Sequence, residues 1–384
     1  MSPTPVPLPP LVEPVAALSA AESARTARHH VLAPLGELGQ RRLAAAHVAI
    51  VGAGGLGSPA VLALAAAGVG TLTVIDDDVV ETSNLQRQLL HRMADVGRPK
   101  VDSAARAAAD LAPEGRVRSV RERLTPENAA RLLAGAHVVL DGSDTFDTRL
   151  AVAEACDVLG VPLVWGTVQG FDAQVTVFWS APPAGAAAVR LSDLYPAGSA
   201  GDVPTCAQVG VLGSLCLQVG ALMATQAITL IAGIGAPLLG RILVIDGLRA
   251  TQREVPLRGR SPEAAVAAPA ASGPARVRPA ELAGALGSPA APLVVDVREP
   301  HEVRAGTIAG ALHVPLGELR ADPGAATARV RDAADGRPVV VVCLSGVRSA
   351  EGAALLAAHG IDARTLDGGI RTWPEPLVEP AVTT

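Results

Sequence analysis

Short, predominantly apolar runs recur along the first part of the chain, at 48–51, 72–75, 136–140, 162–165 and 241–246, each ended by a polar or glycine-rich break. Runs that stay apolar rather than alternating are what a strand buried on both faces of a parallel sheet requires. Mixed runs at 116–120 and 174–179 also read as strands. Between them, 101–111, 126–133 and 150–159 carry helical spacing, and an alanine-rich helix follows Gly57. Strands alternating with helices predict an α/β fold with a mostly parallel, Rossmann-like sheet. Past residue 276 a second, smaller α/β unit of about a hundred residues is expected. Its buried strands are read at 293–297 and 338–342, and its helix at 349–359.

Three stretches depart from this pattern. Residues 258–275 lose all periodicity and fill with Ala, Pro, Ser and Gly, so they read as a linker between domains at 23–257 and 276–384. A flexible chain of that length has an r.m.s. reach of roughly 25 Å. Residues 1–22 are rich in Pro and Ala, without a basic start or an apolar signal core, and read as a disordered tail rather than a targeting peptide. Residues 203–240 contain no charged side chain, longer than a bilayer requires. They are interrupted by Gly210, Gly213, Gly220, Gly233 and Gly235, carry Gln208, Gln218 and Gln226, and have no basic cluster at either end. A helix buried in a protein core fits these features better than a membrane span.

Composition narrows the classes. Aromatic residues are only 2% of a chain that is 49% hydrophobic, so the core must be built from Ala, Val and Leu. A net charge of −5 gives no electrostatic case for nucleic acid. The four cysteines, Cys156, Cys206, Cys216 and Cys343, form no CxxC pair, so neither a disulfide framework nor a structural zinc site is signalled. A reducing, cytoplasmic setting is expected. Cys156 and Cys216 lie on apolar helical faces and read as core.

The chemistry centres on the first strand. It ends in Gly52-Ala-Gly54-Gly55-Leu-Gly57, a helix follows, and the next strand ends in Asp76. Glycines let a backbone turn tightly and approach a phosphate at a helix N-terminus, while the acid takes a ribose hydroxyl. Alone this fingerprint most often marks a dinucleotide cofactor, so an NAD-dependent oxidoreductase is one reading. Against it stands the segment Ser83-Asn84-Leu85-Gln86-Arg87-Gln88, followed by Lys100, cations that hydride transfer does not need. Of 32 Lys and Arg residues only Lys100 is a lysine. A compact ammonium in a chain that otherwise uses arginine suits contact with polyphosphate oxygens, although drift in base composition would also leave a lone lysine. Arg87 and Arg149 could be ordinary surface charges, and Asp141 and Asp144 could cap the following helix. Ligands in open parallel sheets bind at the strands' C-terminal edge, which favours a functional Asp144.

With these residues in view, the first unit resembles the ThiF/MoeB family of adenylyltransferases, relatives of ubiquitin-activating enzymes. The resemblance rests on GAGGLG, the acids Asp76-Asp77-Asp78, SNLQRQ, Lys100 and Asp141-Gly-Ser-Asp144-Thr145-Phe-Asp-Thr-Arg149. The second unit resembles a rhodanese domain through the segment starting at Asp296-Val-Arg298, His313–Leu319, Cys343-Leu-Ser-Gly-Val-Arg348 and DGGI at 367–370. Together they resemble the fused, MoeZ-like adenylyltransferase–sulfurtransferases.

The resemblance implies ATP-dependent adenylylation of the C-terminal Gly-Gly carboxylate of a ubiquitin-like sulfur carrier protein, followed by sulfur transfer from a rhodanese persulfide. A C-terminal carboxylate, with a pKa of about 3.5, is ionised at neutral pH and needs no general base. It implies that Gly52, Gly54, Gly55, Gly57, Asp76, Asp78, Ser83, Asn84, Leu85, Gln86, Arg87, Lys100, Asp144 and Thr145 hold ATP. Asp144 would hold Mg²⁺, and Arg28 would reach the γ-phosphate across a homodimer interface. Cys343 would carry the persulfide, loaded by an outside persulfide or thiosulfate donor. Its loop runs straight into a helix, whose N–H groups would stabilise a sulfur anion, with Arg348 as an electrostatic helper. Cys206 matches the family's second reactive cysteine. Thr26 stands where an aromatic is usual, Thr145 where Asn is common, and Asp172-Ala173 where a glycine is usual beside Phe171. The zinc-binding cysteine pairs of many relatives are missing, so no zinc is expected. A non-catalytic docking module that merely holds nucleotide is the remaining alternative.

Overall fold

The computed structural model describes residues 8–196, 210–259, 275–288, 291–344 and 346–379. They fall into two compact units, 8–259 and 275–379. In the first, strands β1 (His47–Val51), β2 (Thr71–Ile75), β3 (Arg116–Val120), β4 (Val138–Asp141), β5 (Leu163–Gln169), β6 (Asp172–Phe178), β7 (Arg241–Asp246) and β8 (Thr251–Pro256) form one sheet. Its order is β3-β2-β1-β4-β5-β6-β7-β8. The first five are parallel and the last three join antiparallel. β1 and β4 are buried along nearly their whole length, as their unbroken apolar runs require, whereas β3 is largely exposed at the edge. The chain leaves β1 toward β2 on one side and later returns as β4 on the other, so a crevice opens at the C-terminal ends of these neighbours.

β8 was not legible in the apolar pattern because an edge strand reading TQREVP needs no buried face. Its hairpin does carry a signal: Asp246 accepts the backbone N–H groups of Leu248 and Arg249 through Oδ1, an aspartate turn beside Gly247.

The uncharged stretch forms a helix, Gly213–Ala232, long and apolar enough to cross a membrane, yet it packs across β4, β5 and β6 and against the helices Gly36–Ala45 and Gly57–Ala66. Its glycines do not break it. A side chain at Gly213 would lie 2.1 Å from the Gln86 carbonyl oxygen, and one at Gly220 would lie 2.3 Å from that of Leu56. They let the helix backbone press directly on the glycine turn and on the segment after β2. Gly233, at φ +69°, ends it.

The expected disordered tail does not hold from Leu8 onward. Leu8 and Val12 are buried in the main core, the Leu11 N–H donates to the Leu230 carbonyl, and Arg41 Nε donates to the Val15 carbonyl at 2.7 Å. The helix Ala20–Arg25 follows, its N–H at Glu22 capped by Ser19. Scattered apolar residues among prolines found a groove to fill, which composition alone does not reveal.

The second unit is a five-stranded parallel sheet, β9 (Arg276–Val277), β10 (Leu293–Asp296), β11 (Leu312–His313), β12 (Val339–Val342) and β13 (Ala363–Leu366), in the order β11-β10-β12-β13-β9. Helices Pro323–Ala334 and Val347–Ala358 pack on one face. The two-residue strands and the Pro279–Leu286 and Pro323–Ala334 helices were absent from the sequence reading, the strands being too short for a periodicity.

Two stability tests follow. Replacing both Leu8 and Val12 by Ala should lower the first unit's unfolding free energy by about 2–4 kcal/mol in a urea titration; a loose tail would leave it unchanged. His47, His91 and His137 are all held below the ordinary histidine value of 6.5, chiefly by burial. The His137 Nδ1 also accepts the His47 N–H at 2.9 Å, which a proton there forbids. The unfolded chain therefore binds more protons, and stability should be full above pH 6.5 and fall as pH drops below it. A His137→Gln variant should flatten that fall; an unaltered pH profile would remove His137 from the account.

Candidate active site

The turn after β1 shows what each glycine does. Gly52 takes φ +87°, a left-handed backbone that a larger residue resists. Gly57, the first residue of the helix Gly57–Ala66, lies so near Gly52 that a side chain there would sit 1.7 Å from the Gly52 carbonyl oxygen. Gly54 and Gly55 instead line a cleft of about 380 Å³. This cleft is also lined by Asp76, Asp77, Asp78, Asn84, Arg87, Lys100, Asp144 and Thr145. Segments scattered over ninety residues of sequence thus converge because β1, β2 and β4 are neighbours in the sheet.

Contacts tie the pieces together. Asp76 accepts the Ala53 N–H at 2.7 Å through Oδ2 and the Asp78 N–H at 2.9 Å through Oδ1, locking the second strand's tip to the glycine turn. Burial raises its carboxyl above the usual range, against the pull of Lys100. Lys100 opens the helix Lys100–Leu111 with a side chain only 8% exposed, and its ammonium donates to Asp78 Oδ2 at 2.8 Å. Asn84 is buried, its carbonyl accepting the Glu81 N–H, while Arg87 extends over the Ser83 carbonyl. Thr145 caps the helix Phe146–Leu159 by accepting the Thr148 N–H, leaving Asp144 at the cleft. Asp77, Asp78 and Asp76 bring carboxylate oxygens within 4.8 Å of one another.

Of the sequence-derived nucleotide residues, Gly57, Ser83, Leu85 and Gln86 do not line the cleft. Gly57 acts by close packing, and Gln86 lies under the Gly213–Ala232 helix. Arg28 also stands apart. It is exposed on the short helix Ala27–His30, next to Arg25 and His29, which bond to Ala66 and, through Gln40, to Ala67. Those carbonyls belong to the far end of the Gly57–Ala66 helix, about 15 Å from its glycine turn by helical rise. Thr26, where an aromatic is usual, is buried and donates its hydroxyl to the Glu22 carbonyl.

Some cleft residues were missed. Arg149, for which a surface charge was one alternative, is buried, donates to the Ser143 carbonyl and Thr167 hydroxyl, and lies over the Trp165 ring. It stands near Asp141, whose carboxyl burial pushes up and whose Oδ2 has no hydrogen-bond partner among the described residues. His91 braces the turn from below, Nε2 donating to the Ala53 carbonyl at 2.9 Å. Gln88, buried, faces Gly54. Only its place in SNLQRQ signalled Gln88, and nothing local signalled His91. Cys216 is buried, as expected, but against Gly55 at the cleft wall.

In the second unit, Cys343 follows the buried strand β12. Its sulfur accepts the Gly346 N–H at 3.1 Å and lies 3.6 Å from the buried Ser349 hydroxyl. The helix Val347–Ala358 starts here, with Gly346 at φ +103° as its cap. The DGGI segment supports this loop: the Ile370 N–H donates to the Cys343 carbonyl and the Arg371 N–H to that of Leu344. Arg348 turns both terminal nitrogens to Glu302, at 2.6 and 2.7 Å. The Asp296-Val-Arg298 motif is a closed buried pair rather than a reactive group, Arg298 donating to Asp296 and to the Gly306 carbonyl. Cys206 lies outside the described residues.

Sequence comparison matches residues 26–266 to the ThiF family and residues 278–375 to the rhodanese-like domain. The probable adenylyltransferase/sulfurtransferase MoeZ of Mycobacterium tuberculosis is 42% identical, over 96% of this chain and 97% of its own. The sulfur carrier protein adenylyltransferase of Thermus thermophilus is 43% identical, covering 62% of this chain and 88% of its own. A crystal structure of Escherichia coli MccB with ATP matches with a TM-score of 0.51 at 22% identity, over 58% of this chain and 67% of its own, a likeness of fold. The oxidoreductase reading of the glycine turn is thereby set aside. This chain belongs to the ThiF family, in its two-domain adenylyltransferase/sulfurtransferase form with a rhodanese-like second unit.

Proposed function

We propose that the first unit uses ATP to adenylylate the C-terminal Gly-Gly carboxylate of a ubiquitin-like sulfur carrier protein, and that the second unit then supplies sulfur to give the carrier thiocarboxylate. The observation that carries this reading is Lys100. The chain's single lysine is buried at the glycine-turn cleft and paired to Asp78 at 2.8 Å, which suits it to a triphosphate. In the first step a carboxylate oxygen bonds to the α-phosphorus, and the bond to the bridging oxygen breaks to release pyrophosphate. Charge grows on that leaving oxygen, which Lys100, Arg87 and Asn84 are placed to offset. Gly54 and Gly55 leave backbone open to the nucleotide, and Asp76 takes its ribose.

Asp144, at the cleft, offers a hard carboxylate oxygen of the kind that Mg²⁺ prefers. Bound there, the ion would neutralise phosphate charge. Arg28, remote from its own chain's cleft, is suited to serve the cleft of a second copy in a homodimer.

In the second step the terminal sulfur of a Cys343 persulfide attacks the acyl carbon, and the acyl–oxygen bond breaks to release AMP. The acyl-disulfide so formed is cleaved when the Cys206 thiolate attacks the Cys343 sulfur, releasing the thiocarboxylate and leaving a Cys206–Cys343 disulfide for a cellular thiol to reduce. The Gly346 N–H, the Ser349 hydroxyl and the helix start support an anionic sulfur at Cys343.

Carrier-dependent exchange of pyrophosphate into ATP tests the first step. Lys100→Ala should reduce it about 100-fold or more, and Lys100→Arg should not restore it, because a planar guanidinium does not fit a slot 8% exposed; wild-type exchange in Lys100→Arg would refute the assignment. Cys343→Ala should spare exchange and abolish thiocarboxylate formation. If exchange disappears with it, the two units do not divide the work as proposed.

A further inference from the structure

The cation next to the Cys343 loop is held in a tight ion pair. Arg348, second residue of the helix that follows the Cys343 loop, lies within electrostatic reach of Cys343. Its guanidinium is held end-on by Glu302, Nη1 on Oε2 at 2.6 Å and Nη2 on Oε1 at 2.7 Å, the bidentate geometry that carboxylates and guanidinium groups prefer. Glu302 is itself anchored. Its Oε2 accepts the Glu299 N–H at 2.9 Å as part of the cap of the short helix Pro300–Val303. The Arg348 contact holds its carboxyl down to about 2, so the pair stays ionised on both sides throughout the physiological range.

Two other charged groups lie near this pair, one of each sign. Arg298 is closed on Asp296 with both groups buried, and Glu299 adds a negative charge on the Arg348 side. The direct contacts of the Cys343 sulfur are the Gly346 N–H and the Ser349 hydroxyl, at the start of the helix.

We propose that Glu302 is a positioning residue for sulfur transfer: it fixes Arg348 beside the loop and offsets most of its charge, so that the Cys343 sulfur anion is held chiefly by local dipoles. The chemical consequence concerns reactivity. A full positive charge beside a thiolate or persulfide lowers its pKa, and intrinsic nucleophilicity falls with pKa. An uncancelled Arg348 would thus hold the sulfur as a stabilised, sluggish anion, whereas the paired one leaves it able to attack an acyl carbon. The inference rests on Cys343 being the sulfur carrier, as proposed above.

The test is the pH profile of Cys343 alkylation by iodoacetamide in the full-length chain, read on the Cys343 peptide by mass spectrometry, with neither carrier nor ATP present. Glu302→Gln leaves Arg348 as a net cation, and the midpoint should fall by about one pH unit. Arg348→Gln leaves Glu302 as a net anion, and the midpoint should rise. The double variant restores neutrality and should return close to the wild-type midpoint. A Glu302→Gln midpoint equal to or above wild type in a folded protein overturns the proposal. Should that variant fail to fold, the neutral pair Glu302→Gln with Arg348→Met decides instead, since a shift of a unit or more from wild type would show that the charges do not cancel. Because the readout needs no carrier, its failure is distinct from failure of carrier sulfuration, which the pyrophosphate exchange and thiocarboxylate assays report.

Discussion

The first unit depends on one close approach: the helix Gly57–Ala66 begins so near the end of β1 that Gly57 has no room for a side chain against the Gly52 carbonyl. That contact sets the helix's N-terminus at the C-terminal edge of the sheet, the end of a helix that favours an anion. The rest of the site is built to hold the turn. Asp76 takes the Ala53 N–H, and His91 takes the Ala53 carbonyl from the other side. The Gly213–Ala232 helix then lies on the turn with glycine at its point of contact.

This arrangement explains why an apolar, nearly aromatic-free chain can support polar chemistry. Valine- and leucine-rich strands bury both faces of the sheet, and the cleft lies only where their C-terminal ends stop. Buried polar groups there are braced by partners: Lys100 by Asp78, and Arg149 by the Ser143 carbonyl and Thr167. An unpartnered ammonium at 8% exposure would be costly, so the carboxylate that binds it is as necessary as the lysine itself.

The second unit repeats the logic around Cys343. A strand buried on both faces ends, a loop turns back on its own last side chain, and a helix begins. Three glycines at positive φ permit it, Gly346 at the helix cap and Gly368 and Gly369 in the DGGI segment that holds the loop from outside. Two ion pairs lie near it, Arg298 with Asp296 and Arg348 with Glu302.

The residue order alone determined the strands with continuous apolar runs, the glycine turn and its acid, the lone lysine, and the cysteine at a strand's end. These are local features, written in composition and spacing, and β3 and β7 appear with the bounds read for them. Tertiary structure decided what distant segments do to one another. It packed a proline-rich stretch from Leu8 into the core, turned Arg149 inward, placed His91 beneath the turn, and matched Arg348 to Glu302 across 46 positions. Such pairings depend on which surfaces the sheet order brings together, and no local periodicity encodes a neighbour chosen by packing.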